Sequence, residues 1–154
     1  MKFSEERVAL LIDGNNLERS LHSEKQDSRW MISYDNLLPE IMGERALYNF
    51  TYFREGKRIS DKLESRLKER FKGTVEVCEK SADVPLVITA IKLAPKVDTI
   101  IIGSGDSDFV PLAIYLTHLR VSVEIIAHKA TLSSKLADTA DKVHLLEKNH
   151  YFRL

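Results

Sequence analysis

The stretch Val8-Ala9-Leu10-Leu11-Ile12-Asp13-Gly14-Asn15-Asn16 decides the fold. Five apolar residues follow one another without alternation and stop abruptly at an acid and a glycine. A strand with one wet face alternates apolar and polar residues. A strand buried on both faces does not, and such strands belong to parallel sheets covered by helices. Working outward, Thr99-Ile100-Ile101-Ile102 is a second β-branched run, ending at Gly103, and Val121 to Ile126 is a third. Ala46 to Phe53, rich in Tyr and Phe, and Thr74 to Cys78 bring the total to about five strands. Lys142 to Leu146 adds a last strand or an extended piece.

Amphipathic stretches fill the gaps. A short helix is expected from Asn16 to about His22, followed by a loop over Ser23 to Arg29. Ser33 caps a helix carrying Leu37, Leu38 and Ile41, with Pro39 inside it and Gly43 at its end. Ser60 caps another, in which Leu63, Leu67 and Phe71 recur at four-residue spacing until Gly73. Asp83 opens a helix that tolerates Pro85 in its first turn. Further helices are expected over Phe109 to Leu119 and Ser133 to Ala140. Strands joined by such helices need right-handed crossovers, so the expected fold is α/β, a three-layer α/β/α sandwich with a mainly parallel sheet. No repeat or Gly/Ser linker divides the chain, and 154 residues suit one domain spanning 1–154.

Composition removes several function classes. The chain has 23 Lys+Arg and 23 Asp+Glu, a formal charge of zero, which excludes coating of nucleic acid by bulk charge. With 44% apolar and 30% charged residues, neither disorder nor membrane insertion is expected. Cys78 is the single cysteine, too few for an intrachain disulfide or a thiolate zinc site. The apolar run Val8 to Ile12 is too short for a signal-peptide core or a membrane span. The expected setting is cytoplasmic, with no membrane partner.

In doubly wound sheets the site lies beyond the carboxyl ends of the strands. Three strand ends carry acids there: Asp13 after the first, Asp83 shortly after Cys78, and Asp106 with Asp108 after Gly103. Crowded carboxylates raise one another's pKa, a cost that a divalent cation reverses. Oxygen donors favour Mg2+ or Mn2+, which can activate water and neutralise charge on a phosphoryl oxygen. Phosphodiester hydrolysis is the chemistry such a set suits. A plainer account exists for each acid alone: Asp13 as a turn or cap residue, Asp83 as a helix cap, Gly105-Asp106 as a turn with Asp108 in a helix start. Gly103-Ser104-Gly105 begins like a dinucleotide loop, but its third glycine position is Asp108 and Asp106 would repel a pyrophosphate.

Leu11-Ile12-Asp13-Gly14-Asn15-Asn16-Leu17 and Gly103-Ser104-Gly105-Asp106-Ser107-Asp108-Phe109-Val110-Pro111-Leu112 resemble the NYN domain family, in its LabA-like branch. Glu79-Lys80-Ser81-Ala82-Asp83-Val84 is similar to the family's Lys-x-x-Asp-Val element. Leu136-Ala137-Asp138-Thr139-Ala140-Asp141 is similar to its closing pattern. The resemblance runs from about Val8 to Leu146 and implies a PIN-like fold with a metal-dependent ribonuclease site. It maps the family's acids onto Asp13, Asp83, Asp106 and Asp108, and its motif asparagine onto Asn16. Asn16 then orients a carboxylate or a substrate oxygen, unless it only caps the first helix. Ser104 and Ser107 are placed to bond carboxylate or phosphate, and Lys80 to touch phosphate, although turn serines and a solvated lysine need no such role. Related sequences often carry another acid six residues after the Asp83 position. Here that residue is Thr89, which favours one metal over two; Asp138 and Asp141 are substitutes, Asp141 more naturally bracing the last crossover.

From Arg54 to Lys72 there are eight Lys/Arg against four acids. Lys62, Arg66 and Arg70 form one helical stripe, suited either to an RNA backbone or simply to solvent. Trp30, Tyr34, Tyr52 and Phe53 are candidate stacking platforms for unpaired bases, with Tyr52 or Phe53 expected in the core. The leading expectation is an endonucleolytic, metal-dependent ribonuclease acting on single-stranded or structured RNA. The alternative is a weak or inactive RNA-binding regulatory module, motivated by Thr89. A haloacid-dehalogenase-like phosphatase ranks third, because Asn15 stands where it needs an Asp. A homodimer is left open.

Overall fold

The computed structural model describes residues 5–56 and 61–154. The first strand, β1 (Arg7–Asp13), is buried from Val8 onward and leads into α1 (Gly14–Lys25). A short β2 (Trp30–Ile32) precedes α2 (Tyr34–Met42) and β3 (Ala46–Glu55). Then follow α3 (Asp61–Phe71), β4 (Thr74–Cys78), α4 (Asp83–Leu93), β5 (Thr99–Gly103) and α5 (Val110–His118). The chain closes with β6 (Ser122–Ala127), α6 (Ser134–Thr139), β7 (Lys142–Leu145) and β8 (Tyr151–Arg153).

The central sheet is six-stranded and parallel throughout, in the order β4-β3-β1-β5-β6-β7. The expected sandwich is present, with one more strand than the expected five because Lys142–Leu145 pairs with β6. A second, antiparallel pair joins β2 to β8. Neither partner was legible as a strand, since three residues are too few to establish a period.

Side-chain alternation in the buried strands feeds two cores. On one face Ala9, Leu11, Ile100, Ile102, Val123 and Ile125 pack under α4, α5 and α6. On the other, Val8, Leu10, Ile12 and Ile101 pack under α1, α2 and α3. The connections after β1 and β5, adjacent strands, therefore leave for opposite faces. Such divergence is where doubly wound sheets form their crevice, at the carboxyl edge between the two strands.

The caps follow the local sequence. Ser33 Oγ accepts the Asn36 N–H at 3.3 Å, and Gly43 ends α2 at a φ of +55° that L side chains rarely adopt. The first helix runs three residues past the expected His22. It ends where Gln26 takes a left-handed conformation at φ 54°. The expected Ser60 cap of α3 lies outside the described residues. Among the described residues no helix is long and apolar enough to cross a membrane.

Candidate metal centre

Each acid arrives at the crevice by a different route. Asp13 is the last residue of β1 and the N-cap of α1, its Oδ1 accepting the Asn16 N–H at 3.3 Å. It is only 3% exposed. Burial pushes its carboxyl up to about 6 despite that hydrogen bond, and the nearby Glu55 and Asp83 carboxylates push the same way. Asp106 caps the single helical turn Ser107–Phe109, its Oδ1 accepting the Asp108 N–H at 2.9 Å. Capping is thus true of Asp13 and Asp106.

Capping does not account for Asp83. The N-cap of α4 is Ala82, and the Asp83 N–H is satisfied by Ser81 Oγ at 3.0 Å. Its carboxylate is instead turned toward the turn after β5. Asp83, Asp106 and Asp108 each offer an oxygen within 4.8 Å of the others. The Asp83 carboxyl is raised by burial first, then by Asp106, Asp108 and Glu55. Three hard oxygen donors from two loops, repelling one another at this separation, match the donor chemistry of Mg2+ or Mn2+. Asp13 lies outside that set of three and borders it electrostatically through Asp83.

Glu55 was not singled out by the sequence. The expected strand, Ala46 to Phe53, leaves Glu55 in the following loop; β3 instead continues to Glu55, which pairs with Cys78 of β4. Its Oε1 accepts the Ala82 N–H at 3.0 Å, fixing the start of α4 and so the position of Asp83. Asn15 Oδ1 in turn accepts the Glu55 N–H at 2.8 Å. The signal available was adjacency: an acid two residues beyond Phe53, on a strand neighbouring β1.

The remaining expected residues divide. Asn16 does not cap α1; its Oδ1 accepts the Gly105 N–H at 3.3 Å, joining the loops after β1 and β5. Ser104 is fully buried and its Oγ accepts the Asp106 N–H at 3.2 Å, so it shapes the turn and does not face solvent. Ser107 and Lys80 are exposed. Thr89 Oγ1 donates to Pro85 O at 2.9 Å within its own helix and adds nothing to the acids. Asp141 braces the last crossover, accepting the Val123 N–H at 2.8 Å, and Asp138 is exposed on α6. Of the basic stripe, Lys62 is exposed, Arg66 is half-buried beside the Phe152 ring, and Arg70 is paired with Asp35 at 3.0 Å. Tyr34, Tyr52 and Phe53 are buried and offer no stacking face; burial also explains why the Tyr34 hydroxyl resists ionisation. Lys25 sits over the Trp30 ring at 4.9 Å.

The close packing of the loops depends on two glycines. A Cβ on Gly103 would overlap the Ile12 side chain, and one on Gly105 would stand 2.9 Å from Thr131 O and 3.0 Å from Leu132 Cα.

Comparison with known proteins gives a family and a fold. The NYN domain model matches residues 7–147, from the first strand of the sheet to just beyond the last. No curated protein matches the sequence. A crystal structure of a protein of unknown function from Vibrio parahaemolyticus superposes with a TM-score of 0.82 at 18% identity, over 99% of each chain.

Proposed function

The chain belongs to the NYN domain family, and from that premise we propose that it is a metal-dependent ribonuclease with a PIN-like site, cutting RNA endonucleolytically. The observation that carries this reading is the convergence of Asp83, Asp106 and Asp108 to within 4.8 Å at the crevice. Those three carboxylates would hold one Mg2+ or Mn2+, with Asp13 completing the anionic pocket. A cation so bound supplies Lewis acidity, lowering the pKa of a water and offsetting charge on the phosphoryl group.

The rest is done by the chain itself. Glu55 holds the Ala82 N–H and thereby keeps Asp83 facing the other acids. Asn16 keeps the Asp13 loop against the Asp106 loop. Ser104 and Asp106 order the turn so that Asp108 emerges at the crevice. Ser107 and Lys80 are exposed beyond the strand ends, where a phosphate would arrive. The lone Cys78 thiol supports a reducing, cytoplasmic setting.

The reading is tested with labelled single-stranded RNA incubated with Mn2+, Mg2+ or EDTA. Cleavage is expected only with the divalent ion, and Asp106→Asn is expected to abolish it while leaving the thermal transition intact. Wild-type cleavage persisting in EDTA would sink the proposal. Thr89, bonded to Pro85 O and not to the acids, favours a second reading: a family member that binds RNA without cutting it. RNA binding with no product at any metal concentration would select it.

A further inference from the structure

On the face carrying α1, α2 and α3, a cleft of about 210 Å3 opens between α3 and the β2–β8 ribbon. Met31, Leu63, Phe152 and Leu154 give it apolar walls, and Lys62 and Arg66 line it as cations; among the described residues no acid does. The Arg66 guanidinium carbon lies 5.9 Å from the centre of the Phe152 ring. Pockets for drug-sized ligands run to about 300–1,000 Å3, so this one suits a single ring system. An apolar slot with an aromatic ring, a guanidinium plane and a cationic rim has the chemistry of a base-stacking site with phosphate contacts.

Its place on the molecule points the same way. A smaller hollow shares Met31 and Leu63 with the cleft and reaches Glu18 and Tyr52. Glu18 accepts the Tyr52 hydroxyl and pairs with Arg54 at 2.5 Å, and Arg54 adjoins Glu55 at the acidic edge. Through these contacts the cleft connects to Glu55, beside the acids. The aromatic wall is also held in advance. Residues 30–32 pair with 151–153, Arg153 Nε donates to Asp27 at 3.0 Å, and the Leu154 N–H donates to Arg29 O at 2.9 Å. Anchoring of this kind lowers the ordering cost of binding.

We propose that the cleft is a nucleobase subsite for single-stranded RNA, one base stacking against Phe152 with its phosphates on Lys62 and Arg66. Naming RNA rests on the nuclease reading above; the cleft and its charge do not. The test uses Asp106→Asn protein, which keeps the oligonucleotide intact, and a fluorescein-labelled ten-nucleotide oligouridylate followed by anisotropy. Phe152→Leu, which leaves the wall apolar, is expected to weaken binding roughly tenfold, and Phe152→Tyr to restore it. Arg66→Gln is expected to reduce the slope of log K against log salt by about 0.7. A 5-iodouridine oligonucleotide is expected to photocross-link at Phe152 or its cleft neighbours.

Unchanged affinity in Phe152→Leu and Arg66→Gln, cross-links confined to other surfaces, or no binding of the oligouridylate would each overturn the subsite. Parallel cleavage assays on protein with Asp106 intact separate the two proposals. Metal-dependent cleavage with indifferent cleft variants leaves the nuclease and removes the subsite. Cross-linking at Phe152 without cleavage in any divalent ion retains the subsite and removes the nuclease.

Discussion

The Asn16 side-chain oxygen accepts a hydrogen bond from the Gly105 N–H at 3.3 Å, across 89 residues of sequence. This bond joins the two loops that carry Asp13 and Asp106, and it does so where adjacent strands send their helices to opposite faces. Asn16→Ala removes it without touching either acid. Partners that orient ligands typically matter by about 10- to 100-fold in metal affinity or activity. A loss of that size is expected in Mn2+-dependent cleavage, with a near-native melting temperature. Asn16→Asp keeps an acceptor for Gly105 but adds charge to the acids, so a different metal dependence from Asn16→Ala is expected in the same titration.

The mutual repulsion of Asp83, Asp106 and Asp108 predicts that metal stabilises the folded chain. At free Mn2+ one hundred times its dissociation constant, linkage contributes about 2.7 kcal/mol. For a chain of this size that is roughly 5–10 °C in melting temperature. In EDTA, Asp108→Asn is expected to melt above the unaltered protein, because one source of repulsion is gone. On adding Mn2+ the order should reverse. Differential scanning fluorimetry reads both.

Gly105 is packed against backbone atoms that cannot swing away. An alanine Cβ would stand 2.9 Å from Thr131 O. Overpacking of this kind costs about 1–3 kcal/mol, so Gly105→Ala is expected to lower the melting temperature by several degrees. It should also depress cleavage more than stability explains, since the shift displaces Asp106. Gly43, with open space at its Cβ position but a φ of +55°, is the comparison: Gly43→Ala should cost stability alone.

Acid sensitivity is expected at a point remote from the acidic crevice. Burial would raise the Glu124 carboxyl, but hydrogen bonds from His144 at 2.6 Å and Arg45 at 2.6 Å outweigh it and pull the pKa down to about 2. A depressed folded-state pKa means that the unfolded chain binds the proton first. The stabilisation is therefore complete above about pH 4.5 and is lost as pH falls from there toward about 2. A shift of this size is worth up to about 3 kcal/mol. Urea unfolding between pH 6 and pH 3 should show the decline, and Glu124→Gln should flatten it from a lower starting stability.

Thr89 hydrogen-bonds within its own helix, to Pro85 O. Thr89→Ala is therefore expected to leave metal-dependent cleavage within about twofold, because a side chain turned back on its helix is lost at a cost of about 1 kcal/mol or less. A large fall in steady-state cleavage by a folded Thr89→Ala protein would mean that the hydroxyl serves the site.

Much of this was legible in the sequence. Unbroken apolar runs ending at Asp13 and Gly103 required a two-faced parallel sheet, because only burial on both sides removes the need for polar alternation. Together with Thr74 to Cys78, the same runs put Asp13, Asp83, Asp106 and Asp108 at one edge, since parallel strands end together. Ser33 and Ser133 announced their helices because a cap is a local hydrogen bond between residues three apart.

What the tertiary structure decided is whatever depends on distance across the sequence. Glu55 enters the site because β3 lies beside β1, a pairing that no local pattern specifies. Asn16 proved to join two loops, not to cap a helix, and Ser104 proved to be buried, because both depend on how closely β1 and β5 pack. The β2–β8 ribbon brings Phe152 to Arg66 through pairing between chain segments some 120 residues apart, each too short to read as a strand. Strand identity is a local property of side-chain hydration; which strands and loops meet is settled by the packing of the whole chain.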